Sequence, residues 1–128
     1  MKVIIIIVCI IFLVFGSAFS IQKFLNKGTD DLVNNLEDLK NEVENNNIEK
    51  NELTNKSDEI YKKWKDINEK WATIVLHGEM DLIETSLIRM KSKIDIGNID
   101  ESIEDINTSI FLLKHIKEKE KTSLKNIF

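Results

Sequence analysis

A chain of 128 residues has room for one small domain, and its first two dozen residues are apolar, which leaves about a hundred for a core and excludes a deep cleft beside it. There is no proline and only one cysteine, Cys9, so nothing forces a long helix to break and no disulfide framework or thiol nucleophile serves the rest of the chain. All 22 acidic residues lie beyond Thr29, against only Lys2, Lys23 and Lys27 of the 18 basic ones before it. The remainder is net negative by about 7 charges, which sets nucleic acid and anionic headgroups aside as partners.

Residues 1–2 form a short tail, and Val3 to Ile21 follow without a charge. At about 1.5 Å per residue this run spans roughly 28 Å as a helix, close to the hydrocarbon core of a bilayer. It predicts a transmembrane helix acting as an uncleaved signal anchor, with membrane lipid as its partner through Val3–Ile21. It is too apolar all round for an interfacial helix. The alternative is a cleaved signal: Val3–Phe15 matches an apolar signal region, and Gly16-Ser17-Ala18 offers small residues for cleavage after Ala18. Apolar character resumes at Phe19 and Ile21, which favours the anchor. Counting lysines favours a cytoplasmic C-terminus, but a two-residue tail before such a run behaves as an export signal. The expectation is a single-pass protein of the cell membrane with its domain outside the cytoplasm.

Residues 22–28 read as a juxtamembrane linker, and 29–128 as the folded domain. Apolar residues there recur at helical spacing. Leu32, Leu36, Leu39 and Val43 step by four, three and four; Ile60, Trp64, Ile67, Trp71 and Ile74 continue the pattern. So do Ile83, Leu87, Met90 and Ile94, then Ile103, Ile106, Ile110 and Leu113. No alternation by two is sustained. The domain is all-α with narrow, coiled-coil-like seams.

Three breaks divide it. Asn45-Asn46-Asn47 supplies a helix-capping residue, His77-Gly78 interrupts the second and third segments, and Gly97 suits the position after a helix end. Asn98 with Glu101 opens the last segment like a capping box. A shift of 51 residues lays Leu32, Leu36, Leu39 and Val43 on Ile83, Leu87, Met90 and Ile94, Asn47-Ile48 on Asn98-Ile99, and Ile60 on Phe111. This predicts an antiparallel bundle of four short helices as two hairpins. The rival is three helices with the first long, running through residue 76. In the four-helix topology the His77–Asp81 stretch, His115 and the chain's last residues share the membrane-proximal end.

The apolar N-terminus, Trp71, the stretch His77-Gly78-Glu79-Met80-Asp81 and the closing Leu124-Lys125-Asn126-Ile127-Phe128 together resemble a clostridial family of single-span membrane proteins of unknown function, domain of unknown function 4363. The resemblance covers most of the chain. It implies a membrane-anchored helical protein of bacteria, in the company of other small membrane proteins of spore formers, and no activity.

His77, Glu79, Asp81 and His115 are the only residues with metal-ligand chemistry that the topology draws together. Zinc needs three or four such ligands converging on one point. The plainer reading puts Glu79 and Asp81 at the favourable end of a helix dipole and His77 in a loop, with no metal and no cofactor. Serines 86, 92, 102 and 109 fall in the last two helices, where a solvent-facing hydroxyl is routine, and none stands beside a base. The paired carboxylates Asp30-Asp31 and Glu104-Asp105 read as solvated helix faces, so no enzyme is expected.

Trp64 and Trp71 fall on the core seam, or else mark a contact with a partner or membrane. Lys114, Lys117, Lys119, Lys121 and Lys125 make the last stretch basic, as suits a helix C-terminus. Leu124, Ile127 and Phe128 follow as an apolar end that docks on the bundle's base, the membrane interface or a partner. The expected function is a non-enzymatic accessory or scaffold acting through protein contacts or self-association. The alternatives are a small-ligand sensor bundle signalling through a partner, and a metal-binding module.

Overall fold

The computed structural model describes residues 1–46, 48–72, 75 and 77–127, with side chains through residue 122. The described residues are almost all helical and include no strand. The helices are α1 (Lys2–Asn45), α2 (Lys50–Trp71), α3 (His77–Asp95) and α4 (Ile99–Ile127). A long apolar N-terminal helix thus leads into a four-helix bundle.

At 44 residues α1 is about 66 Å long, and it has two unlike halves. Residues 3–15 are exposed on every side although all are apolar. From Leu25 onward one stripe is buried: Leu25, Thr29, Leu32, Val33, Leu36, Leu39 and Val43. Residues 22–28, expected as a linker, are themselves helical, and the core begins inside them at Leu25. The chain has no glycine-rich or proline-bearing stretch there to end the helix. α1 is also the one helix, among the described residues, long and apolar enough to cross a membrane.

The helix stops at the asparagine run. Asn46 takes the left-handed conformation, φ 52°, which asparagine tolerates better than other residues with a Cβ. The run therefore works as a helix stop rather than as a cap for the next helix. Glu49 occupies the N-cap of α2, without a side-chain bond, and Asn47 lies outside the described residues. This break removes the three-helix rival. The second break falls earlier than expected: α2 ends at Trp71, and His77-Gly78 already belong to α3. At the third, Gly97 adopts φ 89° and its N–H donates to the Ile94 carbonyl at 3.1 Å, closing α3 as a glycine should.

α1 packs on α2 and α4, and α3 packs on the same two, so the helices stand in a square. The diagonal pairs make no close backbone approach among the described residues. The core takes Leu32, Leu36 and Leu39 from α1, Ile60 and Trp64 from α2, Ile83, Leu87 and Met90 from α3, and Ile106 and Leu113 from α4. The expected seams of α1 and α3 are these buried stripes. α4 is rotated from its expected seam. Its buried line runs Ser102, Ile106, Ser109, Leu113 and Ile116, while Ile103 and Ile110 are only partly covered.

That rotation buries Ser102 and Ser109, so that three of the four serines expected to face solvent are covered. Ser86, Ser102 and Ser109 are buried, as is Ser57 on α2, and Ser92 alone is exposed. Burial is tolerable where the hydroxyl bonds within its own helix. Ser57 donates to the Thr54 carbonyl at 2.9 Å and Ser109 to the Asp105 carbonyl at 2.8 Å, and Ser102 donates to that of Ile99. The internal repeat shares this limit. Its first helices and the isoleucines after each turn coincide, but Ile60 is buried whereas Phe111 is 67% exposed. Leu53, Ser57, Ile60 and Trp64 of α2 fall on the buried Ser102, Ile106, Ser109 and Leu113 of α4 with a shift of 49, not 51.

Trp64 and Trp71 are wholly buried and meet edge to face, with ring centres 6.0 Å apart and planes at 86°. Both indole N–H groups are buried without an acceptor among the described residues, so area and ring packing hold them. Trp71 needs Gly28 opposite: a Cβ there would stand 3.2 Å from the ring. Trp64→Ala is expected to cost about 3–5 kcal/mol. Trp64→Phe, which keeps a ring and removes the orphaned N–H, is expected to cost about 1 kcal/mol. Denaturant titration of the helical circular-dichroism signal in detergent measures both.

Candidate functional site: the outer groove of α3 and α4

The first turns of α3 and the later turns of α4 form one side of the bundle's end nearer the apolar run. Glu79 is partly buried there, and Lys119 of α4 donates to its Oε1 at 2.6 Å. Its other oxygen is buried without a hydrogen-bond partner among the described residues. His115, exposed on α4, lies flat against Phe111 with ring centres 6.1 Å apart and planes at 14°. Glu79, Leu82, Phe111, Leu112, His115 and Ile116 line an open groove of about 250 Å³.

Two of the four metal-ligand candidates, Glu79 and His115, thus share a groove. His77 and Asp81 are exposed in the first turns of α3 and do not line it. Among the described residues no three histidine, cysteine or acidic side chains gather closely enough to hold a metal ion. The groove's chemistry is apolar with one ionisable ring and one carboxylate at its rim.

Glu120 stands on α4 one residue past the lysine that pairs with Glu79. Its carboxyl is pushed up from the ordinary glutamate value, first by burial and then by the charge of Glu79, with Lys119 acting the other way. A carboxyl whose folded value is raised holds its proton more tightly in the fold than in the open chain. Stability therefore falls as pH rises from the ordinary value through the raised one.

Asp105 departs from the solvated face expected of Glu104-Asp105. Glu104 is exposed, but Asp105 is buried, because the rotation of α4 turns it toward α3. Lys93 lies 2.8 Å from its carboxylate and Arg89 3.6 Å. Asp30 and Asp31 are exposed as expected, and Asp30 receives Lys117 at 2.8 Å. With Lys114 at 3.8 Å from Glu37, three of the five lysines near the end of α4 bridge to other helices rather than merely facing a helix dipole.

Trp64 and Trp71, weighed as contact residues, have no free ring face, since the core encloses both. The side chains of Leu124 and Ile127, and all of Phe128, lie outside the described residues. Sequence reasoning passed over Leu82 and Phe111, which are 57% and 67% exposed. Past residue 24, the large apolar side chains exposed among the described residues are Leu82, Ile88, Ile96 and Phe111, all on α3, α4 or the turn between them. The signal was present: none of the four sits on its helix's heptad seam. By contrast, the groove between α1 and α2 is lined by Asn35, Asp38, Lys56, Glu59 and Lys63 around Leu39 and Ile60.

Lys93→Met leaves the buried Asp105 without its nearest cation and is expected to cost about 2–3 kcal/mol. Arg89→Ala, farther off and more exposed, is expected to cost under about 1 kcal/mol; chemical denaturation distinguishes them. Glu120→Gln is expected to raise the melting temperature at neutral pH. That gain should vanish once the pH is brought below about 4, where the wild-type carboxyl is protonated in both states.

No curated protein and no solved structure matches the chain. A family described as Domain of unknown function (DUF4363) matches residues 19–127, which takes in every bundle helix and leaves most of the apolar run outside. The match spans most of the chain, and the protein belongs to that family.

Proposed function

We propose that this is a single-pass membrane protein whose helical bundle stands outside the cytoplasmic membrane and works as a non-enzymatic accessory or scaffold through protein contacts. The observation that carries the reading is the division of α1. Its first half exposes apolar side chains all round, while the same unbroken helix supplies a buried stripe of the bundle's core. Water does not stabilise such a surface. A bilayer covers it at roughly 25 cal/mol for each Å² removed from water.

The contact surface in this proposal is the α3–α4 groove. Its exposed Leu82 and Phe111 stand on a bundle whose α1 and α2 faces are charged and polar. The groove suits an apolar side chain of another protein in the same membrane. His115 and Glu79 at its rim supply polar partners, which gives such a contact its register.

Photocrosslinking in native membranes tests this. A photoreactive residue at Phe111 or Leu82 is expected to give one discrete protein adduct, and one at Lys62 on the far side none. Equal labelling at both sites, or none at the groove, overturns the contact surface. Mass spectrometry tests the anchor: the membrane fraction should hold a chain that includes residues 3–18. A mature chain starting at Phe19 in the soluble fraction overturns it.

A further inference from the structure

The charge on this protein is sorted along the bundle axis, and the sorting is invisible in its acidic total. Trp71, the last residue of α2, lies against Gly28 of α1. Lys114 pairs with Glu37 and Lys117 with Asp30, so α4 runs antiparallel to α1 and approaches the apolar run as its numbers rise. Lys121 is one helical turn past Lys117, and Lys125 follows one turn later. These turns stand level with the stretch Gln22 to Gly28.

Neither stretch holds an acidic side chain. On α1 it reads Gln22-Lys23-Phe24-Leu25-Asn26-Lys27-Gly28, and α4 from Lys121 to Ile127 adds two more lysines. The nearest acid is Glu120 at the upper edge. Lys23, Lys27 and Lys121 thus form a collar of one sign. Beyond Thr29 and without Lys121 and Lys125, the chain holds 13 basic and 22 acidic residues, a net of −9. Lys23, Lys27 and Lys121 are exposed and make no ion pair among the described residues, whereas Lys114, Lys117 and Lys119, just above, are each held by a carboxylate.

We infer that Lys23, Lys27 and Lys121 form a binding collar for anionic phospholipid headgroups. The inference rests on the membrane-anchor reading. Lys23 comes two residues after Ile21, where a helix leaving the hydrocarbon meets the phosphates. The continuous helix fixes this height, so the collar cannot swing away from the surface. Lysine stems lie along apolar surface while their ammonium groups reach phosphate. Each lysine near an anionic surface strengthens association by about five-fold, and the effect fades within about 8 Å at physiological salt. The acids farther up the bundle are screened from the same headgroups, and of the nearer ones Asp30 is paired with Lys117 and Glu79 with Lys119.

The full-length chain reconstituted in phosphatidylcholine vesicles with a minority of phosphatidylglycerol tests this. Spin-labelled lipids report which headgroup the protein holds. The expected result is a several-fold preference for phosphatidylglycerol that shrinks as salt is raised. It should fall to near parity in Lys23→Gln/Lys27→Gln/Lys121→Gln. A charge-matched control, Lys50→Gln/Lys62→Gln/Lys63→Gln, should keep it. Parity in the wild type, a preference indifferent to salt, or one that survives in the collar variant overturns the proposal; parity hands the collar to an acidic protein instead. Flotation separates the two readings. A wild-type chain that floats with vesicles yet shows parity loses only the collar, whereas one that fails to float in either lipid loses the anchor as well.

Discussion

Everything in this molecule depends on α1 being one continuous helix with two unlike halves. Residues 3–15 of its first half are exposed on every side, and its second half is covered by α2 and α4. No residue between them relaxes the geometry: the stretch 22–28 is helical, and Gly28 serves close packing against Trp71 rather than a bend. A helix nucleated in either half propagates into the other at the favourable cost of adding one residue at a time. The height and tilt of the bundle are therefore set by the same rod that carries the apolar surface.

The core shows how little apolar material such a bundle needs when its seams are narrow. Three buried positions of α2 and α4 are serines, each bonded to a carbonyl of its own helix. They let the helices approach where a leucine would force them apart, and the large rings of Trp64 and Trp71 fill the end nearer the apolar run. Of the buried polar atoms left over, the Thr29 hydroxyl and one oxygen of Glu79 lie at the same end, Asp105 lies beside its two cations, and Glu42 and Asp58 each lie beside a lysine of a neighbouring helix. Specificity of helix order comes from cross-helix pairs such as Lys56–Glu42, Lys91–Asp58 and Lys119–Glu79, since a heptad seam alone fits itself at many registers.

How much of this was legible follows from what a period can carry. The period of 3.6 gave the helices, and Leu32 to Val43 and Ile83 to Ile94 are the buried stripes it predicts. It misplaced α4 because Ile103, Ile106, Ile110 and Leu113 satisfy the same spacing as the true line through Ser102, Ile106, Ser109 and Leu113. Two seams sharing Ile106 and Leu113 differ by a small rotation, and hydropathy prefers the one without serines. That rotation moves Asp105 inward and Phe111 outward, so the groove and the buried ion pair were hidden by one error. The asparagine run was recognised as a break but given the wrong task, because asparagine favours both a helix start and the left-handed stop, and only the backbone of Asn46 decides. The charge collar was hidden for another reason. Lys23 and Lys121 are remote in sequence, and a net charge averages over both ends of the bundle.

The two surfaces proposed here point in different directions, and the stiffness of α1 is what separates their tasks. The collar faces along the axis toward headgroups, while the groove of Leu82 and Phe111 opens sideways from α3 and α4. A bundle on a flexible tether samples every orientation and meets partners from any side. A bundle on a continuous helix, gripped at its base by charge, keeps its sideways face within the plane of the membrane. Partners confined to that plane then meet the groove at a fixed height, near the level of Glu79 and His115, about one to two turns above the lysines. Orientation is fixed before contact, so less rotational freedom is lost on association, and a shallow apolar groove can hold a neighbour that it would release in free solution.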